Sequence, residues 1–425
     1  MIRLMRLGAL VLWIGCVLCS SVQASRTPEG TVDWASVDEA EIIPGELLVR
    51  FKNDGAKPDS ICQAVRVSVH ESVGADVRRH YTFIPWDCVK VSATNRTELQ
   101  QVAQLYLDNP DVAYVEPNYR VYPIDTVPND PDYGDLWGME RINAPQAWDI
   151  ATGTDEIVVG VIDTGVNLTH EDLAANMWTN PGETGTDSGG RDKQTNGIDD
   201  DGNGYVDDWR GWDFYSGDND PTDEGGHGSH CAGTIGAVGN NAVGVAGVCW
   251  NVKMLGLRFL GPGGGSTADG IAAVQYATSM SQYIKLTSNS WGGGGASQAM
   301  EDAIDAAALA GQLFIAAAGN SSTDNDAIPH YPSSYESQNL IAVASIAEGG
   351  ALSGFSCFGL TSVDLAAPGS LIKSCWVGGN DQYNTISGTS MATPHVAGAA
   401  ALLWSLNPSA SWQDIEAAII DNVAS

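Results

Sequence analysis

Apolar positions along this chain follow two rhythms. Between residues 44 and 122 short alternating runs are interleaved with amphipathic ones. ELLVRFK (46–52) reads as a strand, SICQAVRVSVHESVG (60–74) as a helix and IPWDCVKVS (84–92) as a strand. TELQQVAQLYLDNP (97–110) reads as a helix closed by Asn109-Pro110, and VAYVEPNYRV (112–121) as a last strand. With room for one further strand, this β-α-β-(β)-α-β order predicts a compact α+β unit. From residue 137 onward buried-strand patterns recur, EIVVGVID (156–163), NVKMLGLRFL (251–260) and YIKLTSNSW (283–291), followed by the short apolar QLFIAAAGN (312–320) and LIAVASI (340–346). Helical stretches such as TADGIAAVQYATSM (267–280) and AMEDAIDAAALAG (299–311) separate them. Strands buried on both faces and alternating with helices predict an α/β fold, a doubly wound, mostly parallel sheet flanked by helices. In such sheets the chemistry lies at the carboxyl ends of the strands. SGTSMATPHVAGAAALL (387–403) leaves no polar face and reads as a helix buried all round, with Pro394 in its first turn.

Charge changes this picture in one half only. Residues 1–124 carry 12 Lys+Arg against 15 Asp+Glu, whereas residues 125–425 carry 8 against 37, a net −29. A solvated acidic surface accounts for most of this, local cation binding is the second reading, and nucleic acid is excluded as a partner. Residues 1–24 have the form of a secretory signal: Arg3 and Arg6, the apolar LGALVLWIGCVLC, then Val22-Gln23-Ala24. An exported protein is expected. Cys16 admits lipoprotein processing, which Trp13 fits poorly, and the apolar run is short for a membrane span. Residues 25–43 read as a flexible segment, 44–122 as a domain, 123–136 (PIDTVPNDPDYGDL) as a linker and 137–425 as the main domain. In an oxidising compartment the six later cysteines suggest disulfides, with Cys62–Cys88 one pairing and Cys231, Cys249, Cys357 and Cys375 open to three.

Ser390 follows the turn-permitting Gly388 and Thr389 at the start of the buried helix, where backbone N–H groups favour a developing oxyanion. For an isolated serine, helix capping is the plainer reading. Two further stretches change that. IVVGVIDTG (157–165) ends a buried strand in Asp163, and GGHGSHCAG (225–233) puts His227 in a glycine-rich turn. Asp, His and Ser at element ends supply a nucleophile, a base and an orienting carboxylate. Cys231 with His227 is a sharper alternative, outweighed by the better placement of Ser390. The DTG triplet at 163–165 lacks the second acidic triplet that a carboxylate dyad needs. SNSWGGG (288–294) and LGPGGGST (260–267) are strand exits where an extended peptide can pair with main chain. NGIDDDGNGYVDD (196–208) spaces Asp199, Asp201 and Asn203 at alternate positions, followed by Gly204 and Asp207. Such oxygens suit Ca2+ in a surface insertion, although position 12 from Asp199 is Arg210 and the loop is not an EF-hand.

IDTG, GHGSH and SGTSMATPHVAG, in that order, resemble the signatures of the subtilisin-like serine proteases (subtilases) from about residue 128 onward. DVAYVEPNY (111–119) resembles the close of the inhibitor-like propeptide that precedes many of their catalytic domains. The resemblance implies a secreted serine endopeptidase made as a self-processing zymogen. In it Asp163, His227 and Ser390 form the triad, and Asn320 of AAAGN donates to the oxyanion. The first histidine of GHGSH is then the base, His230 is structural, and His395 is a core residue. Ser290, Trp291 and Gly292 would line one wall of the pocket for the residue before the cut, Ala317 and Ala318 another, with Gly264 and Gly265 nearby. A calcium site would use Asp172, Asn241, the carbonyls of Gly239, Val243 and Val245, and Asp130. The partners implied are peptide substrates and the chain's own propeptide. Family members usually continue past EAAIIDNVAS through another short element, so either the sequence is cut short or this member ends early. A catalytically silent binding protein on the same fold is the alternative.

Overall fold

The computed structural model describes residues 32–52, 59–121 and 125–423, so the expected signal at 1–24 lies outside the described residues. Contacts divide the chain into two compact units, one ending at Ile124 and the other beginning at Asp125.

The first unit runs β1 (Ile42–Phe51), α1 (Asp59–Ser72), β2 (Asp76–His80), β3 (Trp86–Lys90), α2 (Arg96–Leu107) and β4 (Val112–Tyr119). The strands form an antiparallel sheet in the order β2-β3-β1-β4. Alternate residues of β1, Leu47, Val49 and Phe51, turn inward and pack with Val89, Val112, Leu99, Ala103 and Tyr106. Asn95 caps α2 by accepting from the Glu98 N–H. The optional strand of the sequence pattern is β2. Its five residues are all exposed and three are basic or histidine, which suits a sheet edge and leaves no alternation to read.

The second unit continues with α3 (Trp137–Arg141), α4 (Ala144–Trp148), β5 (Gly153–Asp163), β6 (Gly211–Asp213), α5 (His227–Gly236) and β7 (Asn251–Arg258). There follow α6 (Thr267–Ser279), β8 (Ile284–Asn289), α7 (Gln298–Leu309), β9 (Leu313–Ala317), β10 (Leu340–Ile346) and β11 (Leu365–Pro368). A β12 (Ile372–Cys375) and β13 (Tyr383–Ile386) ribbon precedes α8 (Thr389–Leu406) and α9 (Trp412–Ile420). Seven strands form one parallel sheet in the order β11-β10-β9-β8-β5-β7-β6. Ile157, Val159 and Val161 of β5 face a core shared with α8 residues Val396, Ala397, Ala400 and Trp404. Val158 and Ile162 face the opposite core, with Tyr276 of α6 and Ile304 of α7. The expected helices thus cover both faces. β6, β11, β12 and β13 were not anticipated, being three or four residues long.

Two expectations are corrected. Pro394 is not in the first turn of α8, because the helix already starts at Thr389 and encloses the proline. Nor are disulfides formed at Cys88, Cys231, Cys249, Cys357 or Cys375, so the Cys62–Cys88 pairing is absent. The thiols occupy separate surroundings. Cys88 faces Glu46, Cys231 packs with Ile372 and Met391, Cys249 faces the Asn251 carbonyl, and Cys357 sits between the Ser321 and Thr323 hydroxyls. No helix among the described residues is long and apolar enough to cross a membrane.

Candidate active site

Asp163 ends β5 and is fully buried, while His227 opens α5 at the mouth of a cleft. The His227 Nδ1 lies 2.7 Å from Asp163 Oδ1. With a carboxylate as acceptor, Nδ1 carries the proton and Nε2 is left as the basic nitrogen. Burial alone would lower the imidazole pKa. The charge and hydrogen bond of Asp163 outweigh it, helped by the charge of Asp223, and raise it above the ordinary range. The two element ends approach closely: a Cβ on Gly228 would collide with the Gly165 carbonyl, and Gly165 itself has φ +102°.

Asp223, which the sequence reading did not single out, holds the histidine turn in place. Its Oδ1 accepts from the N–H groups of Gly225 and Gly226 and from Thr164 Oγ1, and its Oδ2 from Ser229 N and Oγ. The Thr164 hydroxyl in turn accepts from Gly228 N. An acidic residue four positions before the histidine, at the start of a helix, was the available signal.

Ser390 is the second residue of α8. Pro394 has no N–H to offer the carbonyl four residues back, so the Ser390 carbonyl is left without an intrahelical partner. It accepts instead from Ser290 Oγ at 2.8 Å and from Cys231 Sγ at 3.4 Å. Ser390 Oγ donates to the Ser290 carbonyl at 2.8 Å, so the two serines brace each other across 100 positions. Cys231 is fully buried, and burial followed by the Asp163 charge raises its thiol pKa well above the ordinary range, which disqualifies it as nucleophile. His230 and His395 are buried with ring nitrogens on the carbonyls of Ile372 and Met391, and burial pushes each down to about 4.

Asn320 follows β9. Its Oδ1 accepts from Thr389 N at 2.8 Å and Thr389 Oγ1 at 3.0 Å, which fixes the amide and leaves Nδ2 without an acceptor among the described residues. Asn320, Ser390 and His227 line one cleft of about 430 Å³ with Ser290, Trp291, Gly292, Ala317 and His330. Gly264 and Gly265 line an adjoining hollow of about 300 Å³ with Trp291 and Gly292. Ala318 is not on this lining: it is fully buried, its N–H on Val343 and its carbonyl on Asn325.

Two groups of oxygens lie apart from the cleft. Asp172 and Asp130 are buried, with no Lys or Arg paired to either among the described residues. Asn241 Nδ2 and Val245 N–H donate to Asp172, and the N–H groups of Asn240 and Asn241 donate to Asp130. Burial pushes Asp172 up to about 6, the Asp130 charge adding to it. Val243 N–H donates to Asn241 Oδ1, while Gly239 packs on the Trp250 ring. In the insertion, the structure gathers Asp201 with Glu183 and Asp208, their oxygens within 4.8 Å of one another. Glu183 is fully buried and its Oε2 has no hydrogen-bond partner among the described residues, an acceptor left uncompensated. Asn180 and Asn203 donate to Asp208, and Tyr276 Oη donates to it at 2.5 Å. Asp199 accepts instead from the N–H groups of Gly202, Asn203 and Gly204, and Asp207 from Gly197, so both fasten turns. Glu183 was not read from the sequence because only folding brings residue 183 onto the 196–208 loop, and Asp208, though inside that loop, falls off the alternate spacing of Asp199, Asp201 and Asn203.

Residues 154–425 match the family model described as the subtilase family, and residues 31–118 match the fervidolysin N-terminal prodomain. Thermitase of Thermoactinomyces vulgaris is 38% identical over 294 residues, which is 69% of this chain and 90% of thermitase. The thermophilic serine proteinase of Bacillus sp. strain AK1 is 34% identical over 374 residues, 87% of this chain and 80% of that protein. The extracellular protease of Xanthomonas campestris pv. campestris is 33% identical over 342 residues, 75% of this chain and 56% of the other. Among solved structures, a protease from Pseudoalteromonas arctica superposes with a TM-score of 0.58 at 30% identity, covering 71% of this chain and 93% of that one.

Proposed function

This chain belongs to the subtilase family and is a serine-type endopeptidase with an N-terminal prodomain, and from that premise we propose that it is a secreted zymogen whose catalysis runs through Asp163, His227 and Ser390. The observation that carries this reading is the 2.7 Å Asp163–His227 bond at a cleft shared with Ser390 and Asn320. Ser390 Oγ attacks the scissile carbonyl as its proton leaves the Ser290 carbonyl for His227 Nε2. Asp163 holds the tautomer and stabilises the imidazolium. Asn320 Nδ2 and the Ser390 N–H receive the oxyanion, the second at the helix N-terminus. The acyl-enzyme forms as the amine leaves with the proton from His227, and water then repeats the sequence. The substrate backbone pairs along Ser290–Gly292 and Gly264–Gly265 as an added strand, with Ala317 beside it.

Calcium is the cofactor we assign. Asp172, Asp130, Asn241 and the carbonyls of Gly239, Val243 and Val245 would hold one ion. Glu183, Asp201 and Asp208, with Asn180 and Asn203, would hold another, taking over the role first given to Asp199 and Asp207. Bound Ca2+ would supply positive charge to Asp172, Asp130, Glu183 and Asp208, which are buried with no Lys or Arg paired to them among the described residues, and would tie the insertion and the 239–245 loop to the core. The first unit acts on its own protease as an intramolecular inhibitor until it is cut away, and the signal-like residues 1–24 direct export.

The reading is tested by expressing the full chain and Ser390→Ala in parallel with Ca2+ and measuring intact mass. The expected result is loss of the residues ahead of the catalytic unit in the parent alone. Equal cleavage of both, or of neither while both are folded, contradicts self-processing.

A further inference from the structure

One group in the cleft plays no part in the triad chemistry. With Ser390 attacking and Asn320 taking the oxyanion, the side chain before the scissile bond hangs from a Cα one bond from the attacked carbon. It therefore enters the part of the cleft lined by Ser290, Trp291, Gly292, Ala317 and Gly319. The His330 imidazole closes that space. A Cβ on Gly292 would run into the ring, and one on Gly319 would come within 2.8 Å of Cδ2 and 3.0 Å of Nε2. Both positions are glycine, so neither places a side chain over the ring.

The tautomer of His330 follows from its partners. Ser333 Oγ donates to the His330 carbonyl at 2.9 Å, so its 3.0 Å contact with Nδ1 is a bond donated by the ring. A neutral imidazole protonated at Nδ1 carries its lone pair on Nε2. Nothing among the described residues donates to that nitrogen. Burial also pulls the imidazole below its ordinary range, so it is neutral where His227 works as a base.

We propose that His330 Nε2 selects the residue before the scissile bond, and that the site takes uncharged side chains ending in an N–H donor, the carboxamides of glutamine and asparagine, over hydrocarbon chains of the same size. The inference rests on the active-site reading above. No residue lining the cleft carries a carboxylate or an ammonium. A buried lysine would find no counter-ion there, and a glutamate would meet a lone pair. A carboxamide meets an acceptor where the His330 ring closes the space.

The test uses the enzyme processed from the full chain and four fluorogenic peptides differing only in Gln, Met, Glu or Lys before the cut. We expect kcat/KM for Gln to exceed that for its near-isostere Met by about 3–10-fold, the scale of one net hydrogen bond. His330→Phe, which keeps a ring without nitrogen, should bring that ratio to about one. Met equal to or above Gln, or Glu or Lys leading, overturns the proposal, and the unmodified enzyme alone suffices to see it. Fluorophosphonate labelling of Ser390 separates the two failures. A labelled enzyme without Gln preference refutes the role of His330, and absence of labelling refutes the active site as well.

Discussion

Asn320, His227 and Asp163 are each held by contacts that make single substitutions interpretable. The Asn320 amide is locked by Thr389, so Asn320→Ala removes a donor without loosening a base. It should lower kcat by about 10²–10³-fold with little change in KM, the scale known for such a donor in subtilisin. His227 must be neutral to accept the serine proton, and Asp163 raises its pKa above 6.5. The acidic limb of kcat/KM should therefore have its midpoint above 6.5 and rise with pH. The same pair stabilises the fold fully below the unfolded imidazole range, and that contribution fades as pH rises through the raised value. Asp163→Asn should move the limb to lower pH and cost about 10⁴-fold in rate. A limb unmoved by that substitution would detach His227 from the profile. At this scale the candidate residues lay in short motifs, and the structure bonds Asp163 to His227 at a cleft lined by Asn320 and Ser390. Asp223 offered only its position ahead of the histidine helix, and His330 offered no signal, because its place depends on a cleft lined by distant segments.

At the scale of elements, α8 explains more than a buried helix needs to. Its proline was expected in the first turn, where a missing N–H costs nothing. Placed at the sixth position it frees the Ser390 carbonyl for Ser290 and Cys231, a consequence invisible without the partner residues 100 and 159 positions away. Pro394→Ala restores a competing donor within the helix. It should leave the fold intact by circular dichroism yet lower kcat about tenfold, since small displacements of a nucleophile are costly. An unchanged kcat would show that the carbonyl's partners do not position Ser390. Long apolar strands and helices were legible from periodicity. The three- and four-residue strands and the exposed edge strand β2 were not, because they present too few buried positions to form a pattern.

Across the whole molecule, the catalytic unit concentrates negative charge on a fold whose acidic residues are partly buried in two groups. Chelation should lower the melting temperature, each ion contributing about 2.7 kcal/mol at a free concentration a hundred times its Kd. Glu183→Gln with Asp208→Asn should remove one part of the calcium response and Asp172→Asn the other, each read by titration calorimetry on the Ser390→Ala chain. A double variant that binds as much calcium as its parent would reassign the insertion to turn structure alone. The alternation of apolar strands with helices made the parallel sheet legible. The carboxylate groupings needed the fold, since sequence spacing favoured Asp199 and Asp207 while the chain brings Glu183 and Asp208 to Asp201. Everything functional in this account depends on Ser390 being the nucleophile. Its most direct test is intact and peptide mass spectrometry after fluorophosphonate treatment of the full chain expressed with calcium. A single adduct on Ser390, absent from Ser390→Ala, is the predicted result; an adduct elsewhere, or proteolysis persisting in purified Ser390→Ala, would contradict it.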